Sequence, residues 1–209
     1  TPDQGRHAGL VKSGQGRRQA PNLQLGNQVS VQWQARELDS LGRFSVELTK
    51  ARAALVLGDR ARLTALQAFS GLFHLVLPER APYRALYDGG LAWLDLLSGP
   101  HWAEGLARLE LGLLSALGFG LDLTCCAATG LTEDLVYVSP KSGRAVSRDA
   151  GGPFKEKLFA LPNFLGGAET TDNEARDGLK LTGYFVEKHL CYANNQPLPP
   201  ARMALLDHV

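Results

Sequence analysis

The sequence predicts an α+β protein: a small N-terminal β-barrel or curled sheet, then a helical bundle carrying a short inserted β unit. Three observations carry this expectation. Apolar residues alternate with polar ones through the first 50 positions, recur at spacings of three and four from about residue 50, and alternate again in "DLVYV" and "RAVSR".

In "NQVSVQW" the residues Val29, Val31 and Trp33 share one face, and in "GRFSVEL" Phe44, Val46 and Leu48 do the same, so each segment reads as a half-buried strand. On that pattern Trp33 is expected to turn to the core. "ARELDSLG" supplies a charged turn between the two strands. "KSGQGRRQAPNLQLG", glycine-rich, basic and poor in apolar residues, is expected to be a loop.

Asp59 is placed to cap a helix whose Leu63, Leu66, Phe69, Leu72, Phe73 and Val76 form one broad face, and Pro78 ends it. A second helix is expected over 82–97. A third starts near Pro100, presents Leu106, Leu109, Leu113, Leu114 and Leu117, and stops at Gly118. "KEKLFALPNFLGG" reads as a short helix entering a turn, 166–177 as a polar, mobile loop, and "GLKLTGYFVEKHLCY" as a helix. A last short helix is expected in "NNQPLPPARMALL".

The 209 residues are 44% hydrophobic and 21% charged, the composition of an ordinary globular protein, and their number suits one domain or, as preferred here, two small ones. No apolar run is long enough to cross a bilayer, and no signal-peptide pattern is present. The net charge is only +1, but it is segregated. Residues 1–36 hold Arg6, Lys12, Arg17, Arg18 and Arg36 against the single acid Asp3, a local +4. Such a face suits an anion or a nucleic acid, with a merely solvated basic surface as the plain alternative. Cys125, Cys126 and Cys191 are odd in number and lack CxxC spacing, which points to a reducing, cytoplasmic compartment and to buried, inert thiols.

Catalytic signatures are missing. "GRHAGLVKSG" puts Val11, and "SPKSG" puts Pro140, where a phosphate-binding loop needs glycine before its lysine. "KSGQGRR" lacks the third glycine of a dinucleotide-binding turn. There is no GxSxG, HExxH or SxxK motif. His7, His74, His101, His189 and His208 are scattered singly, so a surface or packing role is expected for each.

Cys126 with Thr129, and Ser147 with Ala150, stand at the spacings at which a four-cysteine zinc knuckle places its two pairs of thiolates. One thiolate of four does not hold zinc. The unit 124–152 is therefore expected to be zinc-knuckle-like, to lack metal ligands, and to be held by strand pairing.

The run "RLELGLLSALGFGLDLTCCAATGLTEDLVYVSPKSGRAVSRDAG" (108–151) resembles the central signature of the bacterial RecO family, some members of which bind zinc at the knuckle. "GRHAGLVKSGQGRR" resembles that family's basic N-terminal loop, and "LKLTGYFVEKHL" its late helix. The resemblance implies an incomplete OB-fold DNA-binding domain over 1–50, short of one or two leading strands, and a helical domain over 51–209. It also implies a recombination mediator, not an enzyme, localised to the cytoplasm and nucleoid. Such a protein has no cofactor and no membrane partner. It binds single- and double-stranded DNA, anneals complementary strands coated by single-strand-binding protein, and works with RecR to load RecA. Arg6, Lys12, Arg17, Arg18 and Arg36 are expected along the groove, with Lys141, Arg144 and Arg148 extending the track, since no acid falls within 139–148. Two rivals stand beside it. One is a scaffold whose bundle grips the acidic tail of single-strand-binding protein in an apolar groove with basic edges. The other is a thiol-dependent enzyme using Cys125 or Cys126.

Overall fold

A computed structural model describes residues 1–37 and 40–209; residues 38 and 39, within the expected turn 35–42, lie outside the described residues. The N-terminal alternation folds as expected. Strand β1 (Leu10–Val11), β2 (Gln28–Gln34) and β3 (Arg43–Lys50) form a sheet of order β1-β3-β2, with β2 antiparallel and β1 parallel to β3. Val31 pairs with Val46 and Trp33 with Phe44, which puts the apolar residues of both strands on one side. Strand β1 immediately precedes the segment that composition reads as loop. The described residues form no closed barrel: three strands, one of them two residues long, are too few to curl back on themselves.

This sheet is fastened to the helices by polar contacts. Arg52, nearly fully buried, donates through Nε to Asp95 (2.7 Å) and through Nη1 to Gln28 (3.0 Å), while Lys50 reaches the same Asp95 oxygen at 2.6 Å. Arg6 donates through Nε to the Leu77 carbonyl (2.8 Å).

Helix α1 (Arg60–Val76) begins where expected, with the Asp59 side chain accepting from the Arg62 amide. Helices α2 (Arg84–Leu96) and α3 (Trp102–Ala116) follow. Gly118, at φ 88°, takes the left-handed conformation that ends α3. Leu66, Trp93, Leu97, Leu106 and Leu109 interlock in one apolar cluster; Leu72, Leu113 and Leu114 of the same helices turn to a second. That second cluster covers β4 (Leu135–Val138), which lies between β5 (Ala145–Ser147) and β6 (Phe159–Ala160), both antiparallel to it. Helix α4 (Arg148–Gly151) follows β5 directly.

The short helix expected in "KEKLFALPNFLGG" is not formed. The chain instead makes a 3-10 turn over Gly152–Lys157, strand β6, and a second 3-10 turn over Asn163–Leu165. Pro162 lacks the amide that a continuous helix would need. Helix α5 (Glu174–Val186) starts earlier than the expected loop allows: Asn173 caps it, and the Glu174 carboxylate accepts from the amides of Thr171, Asn163 and Phe164. It continues as a π turn over Glu187–Cys191 and a 3-10 turn over Tyr192–Asn194. Helix α6 (Pro200–Ala204) closes the bundle as expected. Among the described residues, no helix is long and apolar enough to cross a membrane.

Candidate nucleic-acid interface

Segments rich in Gly and polar residues cannot bury a core, so the chain between β1 and β2 stays at the surface and carries its cations outward. Lys12, Arg17 and Arg18 are exposed on this segment, whose backbone is held by local turns such as Gln19 N to Gly16 O (3.0 Å) and Ala20 N to Gly16 O (2.9 Å). Arg36 is exposed just past the end of β2, and Arg43 at the start of β3. Leu10, Gln34, Arg36, Ser40, Gly42 and Arg43 line an open groove of about 550 Å³ at this end of the sheet. Among the described residues none of Lys12, Arg17, Arg18, Arg36 and Arg43 forms an ion pair. Arg43 was not among the residues the charge count singled out, because it lies beyond the N-terminal window. The strand register supplies it, since Arg43 pairs with Gln34 on one side and Leu10 on the other.

Arg6 is placed differently from the rest. Half-buried, it ties the N-terminal segment to the end of α1 through the Leu77 carbonyl. Trp33 is half-buried too, and its surroundings are filled. Its Nε1 donates to the Leu41 carbonyl (3.1 Å), the Arg80 guanidinium lies 5.2 Å from the ring centre, and His7 packs at 4.9 Å. Gly42, at φ 62°, makes room for it, as a Cβ there would stand 2.3 Å from the indole nitrogen.

The three cations of the inserted unit divide. Lys141 is exposed at the turn joining β4 to β5. Arg144 pairs with Asp122 (3.2 Å) and donates through Nη2 to the Cys125 sulfur (3.4 Å). Arg148 bridges two carboxylates, Glu169 at 2.8 Å and Asp134 at 3.1 Å, which together push its pKa up. The stretch 139–148 is free of acids in sequence, but the fold brings acids to it from positions 122, 134 and 169. Spacing along the chain carries no trace of those contacts.

Cys126 is buried and its sulfur accepts from the amide and the hydroxyl of Ser147, at 3.3 and 3.4 Å. Burial pushes its thiol up, but the Ser147 and Thr129 hydroxyls with the amides of Ser147 and Ala128 outweigh it and bring the pKa down to about 6. Of the four positions singled out by their knuckle spacing, Ser147 and Thr129 thus both contact the Cys126 sulfur. They form one sulfur surrounded by donors, and hydroxyls that donate to a sulfur do not make a zinc ligand set.

The class defined by these features is a helix-centred α+β protein with two small sheets, one of them presenting exposed cations that form no ion pair among the described residues. The model of the family described as recombination protein O, C terminal, matches residues 57–193. Over 99% of this chain, proteins called DNA repair protein RecO are 47% identical in Rhodospirillum centenum and 46% identical in Cereibacter sphaeroides. The matches span 84% and 87% of those proteins. The chain belongs to the RecO family.

Proposed function

We propose that the chain acts in DNA repair as a recombination mediator: it binds single- and double-stranded DNA on its N-terminal sheet and anneals strands coated by single-strand-binding protein. With RecR it assists RecA loading. The protein makes and breaks no bond. The carrying observation is the contrast between two sets of cations. Arg144 and Arg148 are neutralised by carboxylates, whereas Lys12, Arg17, Arg18, Arg36 and Arg43 are exposed and, among the described residues, form no ion pair, with Arg36 and Arg43 lining an open groove. Unpaired surface cations displace the counterions of a phosphate backbone, which is the main source of non-specific affinity for nucleic acids. Held on one positive surface, two strands repel each other less and meet at raised local concentration. On this reading the N-terminal sheet serves as an OB-type platform, and the inserted unit is a knuckle in which hydrogen bonds stand where a metal would. The test is a titration of fluorescein-labelled oligonucleotide by anisotropy, followed by annealing of complementary strands precoated with single-strand-binding protein. Binding that ignores added salt, or annealing no faster than the spontaneous rate, overturns the proposal.

A second reading is favoured by a separate cavity of about 400 Å³ between α1 and α2, lined by Phe69, Phe73, Tyr83, Leu86 and Leu94, with Arg6 and His74 on its lining. An apolar cleft with basic edges fits the acidic tail of single-strand-binding protein. A tail peptide that binds equally well after reversal of Arg17 and Arg18 supports a separate site.

A further inference from the structure

Rings and lysines gather on α5 and the π turn that follows it, on a face the N-terminal reading does not use. Lys180 and Tyr184 are both exposed and stand one turn apart, so they neighbour each other on the helix surface. The Lys188 ammonium lies 5.6 Å from the Tyr184 ring centre and donates to the Pro140 carbonyl (2.8 Å), next to Lys141 at the hairpin tip. Phe159 packs against Tyr184 at 5.0 Å. Beyond them Phe119, 40% exposed, stacks on His189 at 5.1 Å with planes 17° apart, and His189 lies nearly parallel to Phe185 at 6.0 Å.

Two further features set this patch apart from ordinary packing. The π turn at Glu187–Cys191 is a rare backbone form that concentrates at functional positions, and it carries Lys188 and His189. Among the described residues Lys141, Lys180 and Lys188 also form no ion pair, and Glu187, next to Lys188 in the π turn, is half-buried. Burial and the Lys188 charge lower the pKa of His189, which keeps its ring neutral and suited to stacking.

We infer that this face is a second binding surface for single-stranded nucleic acid, with Tyr184 as the base platform and Lys180, Lys188 and Lys141 on the phosphates. It rests on the mediator reading and deepens it, since annealing needs two strands on one protein. From Lys180 to Lys188 the helical rise is about 12 Å, enough to follow about three phosphates at stacked spacing. Helix α5 packs chiefly on α3 and β6, whereas the N-terminal sheet is fastened to α1 and α2, so the two surfaces are carried by different elements of one molecule.

The experiment is a stoichiometric titration of the full chain with short labelled oligothymidylate at low salt, for wild type, Lys180→Glu/Tyr184→Ser, Tyr184→Phe, Tyr184→Trp and Arg17→Glu/Arg18→Glu. Two sites are expected for wild type and Tyr184→Phe. The double variant at 180 and 184 should retain the first and weaken the second at least about fivefold, the lower end of what loss of one stacked base does. Tyr184→Trp should show indole quenching on binding that persists in the Arg17/Arg18 background. A single site in wild type, an unweakened second site in the double variant, or no quenching overturns the inference. Absence of any binding by wild type sinks the mediator reading itself, and a single site lost on reversing Arg17 and Arg18 leaves that reading standing alone.

Discussion

Arg202 forks onto Glu110 in the centre of the bundle: its Nε and Nη2 lie 2.6 and 2.8 Å from the two carboxylate oxygens, with each residue 1% exposed. Thr182 donates to the same carboxylate at 2.5 Å and the Leu179 carbonyl accepts the second Nη2 proton of Arg202 at 2.6 Å, so the pair joins α3, α5 and α6. Removing one partner strands a buried charge. Arg202→Met or Glu110→Ala alone is expected to cost about 3–5 kcal/mol, while the double change Glu110→Leu/Arg202→Met recovers most of that loss. Urea unfolding of the three variants measures it, and additive losses would contradict the pairing.

Reversal of Arg17 and Arg18 to Glu is the corresponding test of the surface. Because neither forms an ion pair among the described residues, the change should leave the unfolding midpoint nearly unaltered and weaken oligonucleotide binding at least tenfold, on the order of the loss of two phosphate contacts and the gain of repulsion. The log-log salt slope should fall by about 1.4, at about 0.7 for each phosphate released from a single strand. Arg148→Ala, which breaks exposed bridges to Asp134 and Glu169, should move affinity less than twofold and leave the unfolding midpoint nearly unchanged.

The exposed arginines and the buried pair mark where reading the sequence succeeds and where it stops. Periodicity locates β2, β3, α1 and α3 because burial of one face is a local property of the pattern, and Asp59 and Gly118 announce their helix ends by chemistry that acts within one turn. Exposed Lys12, Arg17 and Arg18 are legible for a similar reason: a loop too polar to fold inward must show its charges. What spacing does not show is pairing across the fold. Glu110 reads as one polar residue in a leucine-rich run, with its partner 92 positions away. Arg144 and Arg148 read as free because their acids come from other elements. The apolar residues of "KEKLFALPNFLGG" suit a helix, but Pro162 interrupts it and the segment folds as 3-10 turns about β6.

Asp95 gives a prediction in acid. The Arg52 hydrogen bond first, then that of Lys50, holds its carboxyl down at about 2 against 3.8 for a free one. A depressed acid stabilises the fold fully above its unfolded pKa and loses that contribution as pH falls through the folded value. The anchorage of the N-terminal sheet on α2 is therefore expected to weaken between about pH 4 and pH 2, and Asp95→Asn to remove that part of the acid dependence. At neutral pH the same variant should cost about 1–3 kcal/mol, less than a fully buried pair because Asp95 is half exposed, yet more than a surface pair because Arg52 is buried. Unfolding followed by Trp fluorescence at stepped pH checks both.

Cys126 extends the same logic to neutral pH. Its folded pKa of about 6, against 9.0 for an unperturbed thiol, means that the folded unit prefers the thiolate, which Ser147 and Thr129 surround with donors. The stability this supplies is complete above about pH 9, declines on acidification, and is gone once pH has passed below about 6. Wild type should therefore lose stability relative to Cys126→Ala between pH 9 and pH 6, while a serine at 126, which does not ionise in this range, follows the alanine curve. Ser147→Ala should raise the thiol pKa and shift the transition upward. Burial keeps the sulfur from reagents whatever its charge, so modification by an aromatic disulfide at pH 7 should proceed at the half-exposed Cys125 and reach Cys126 only when the unit opens. Equal rates at the two cysteines in the native protein would show that the cradle around Cys126 is open.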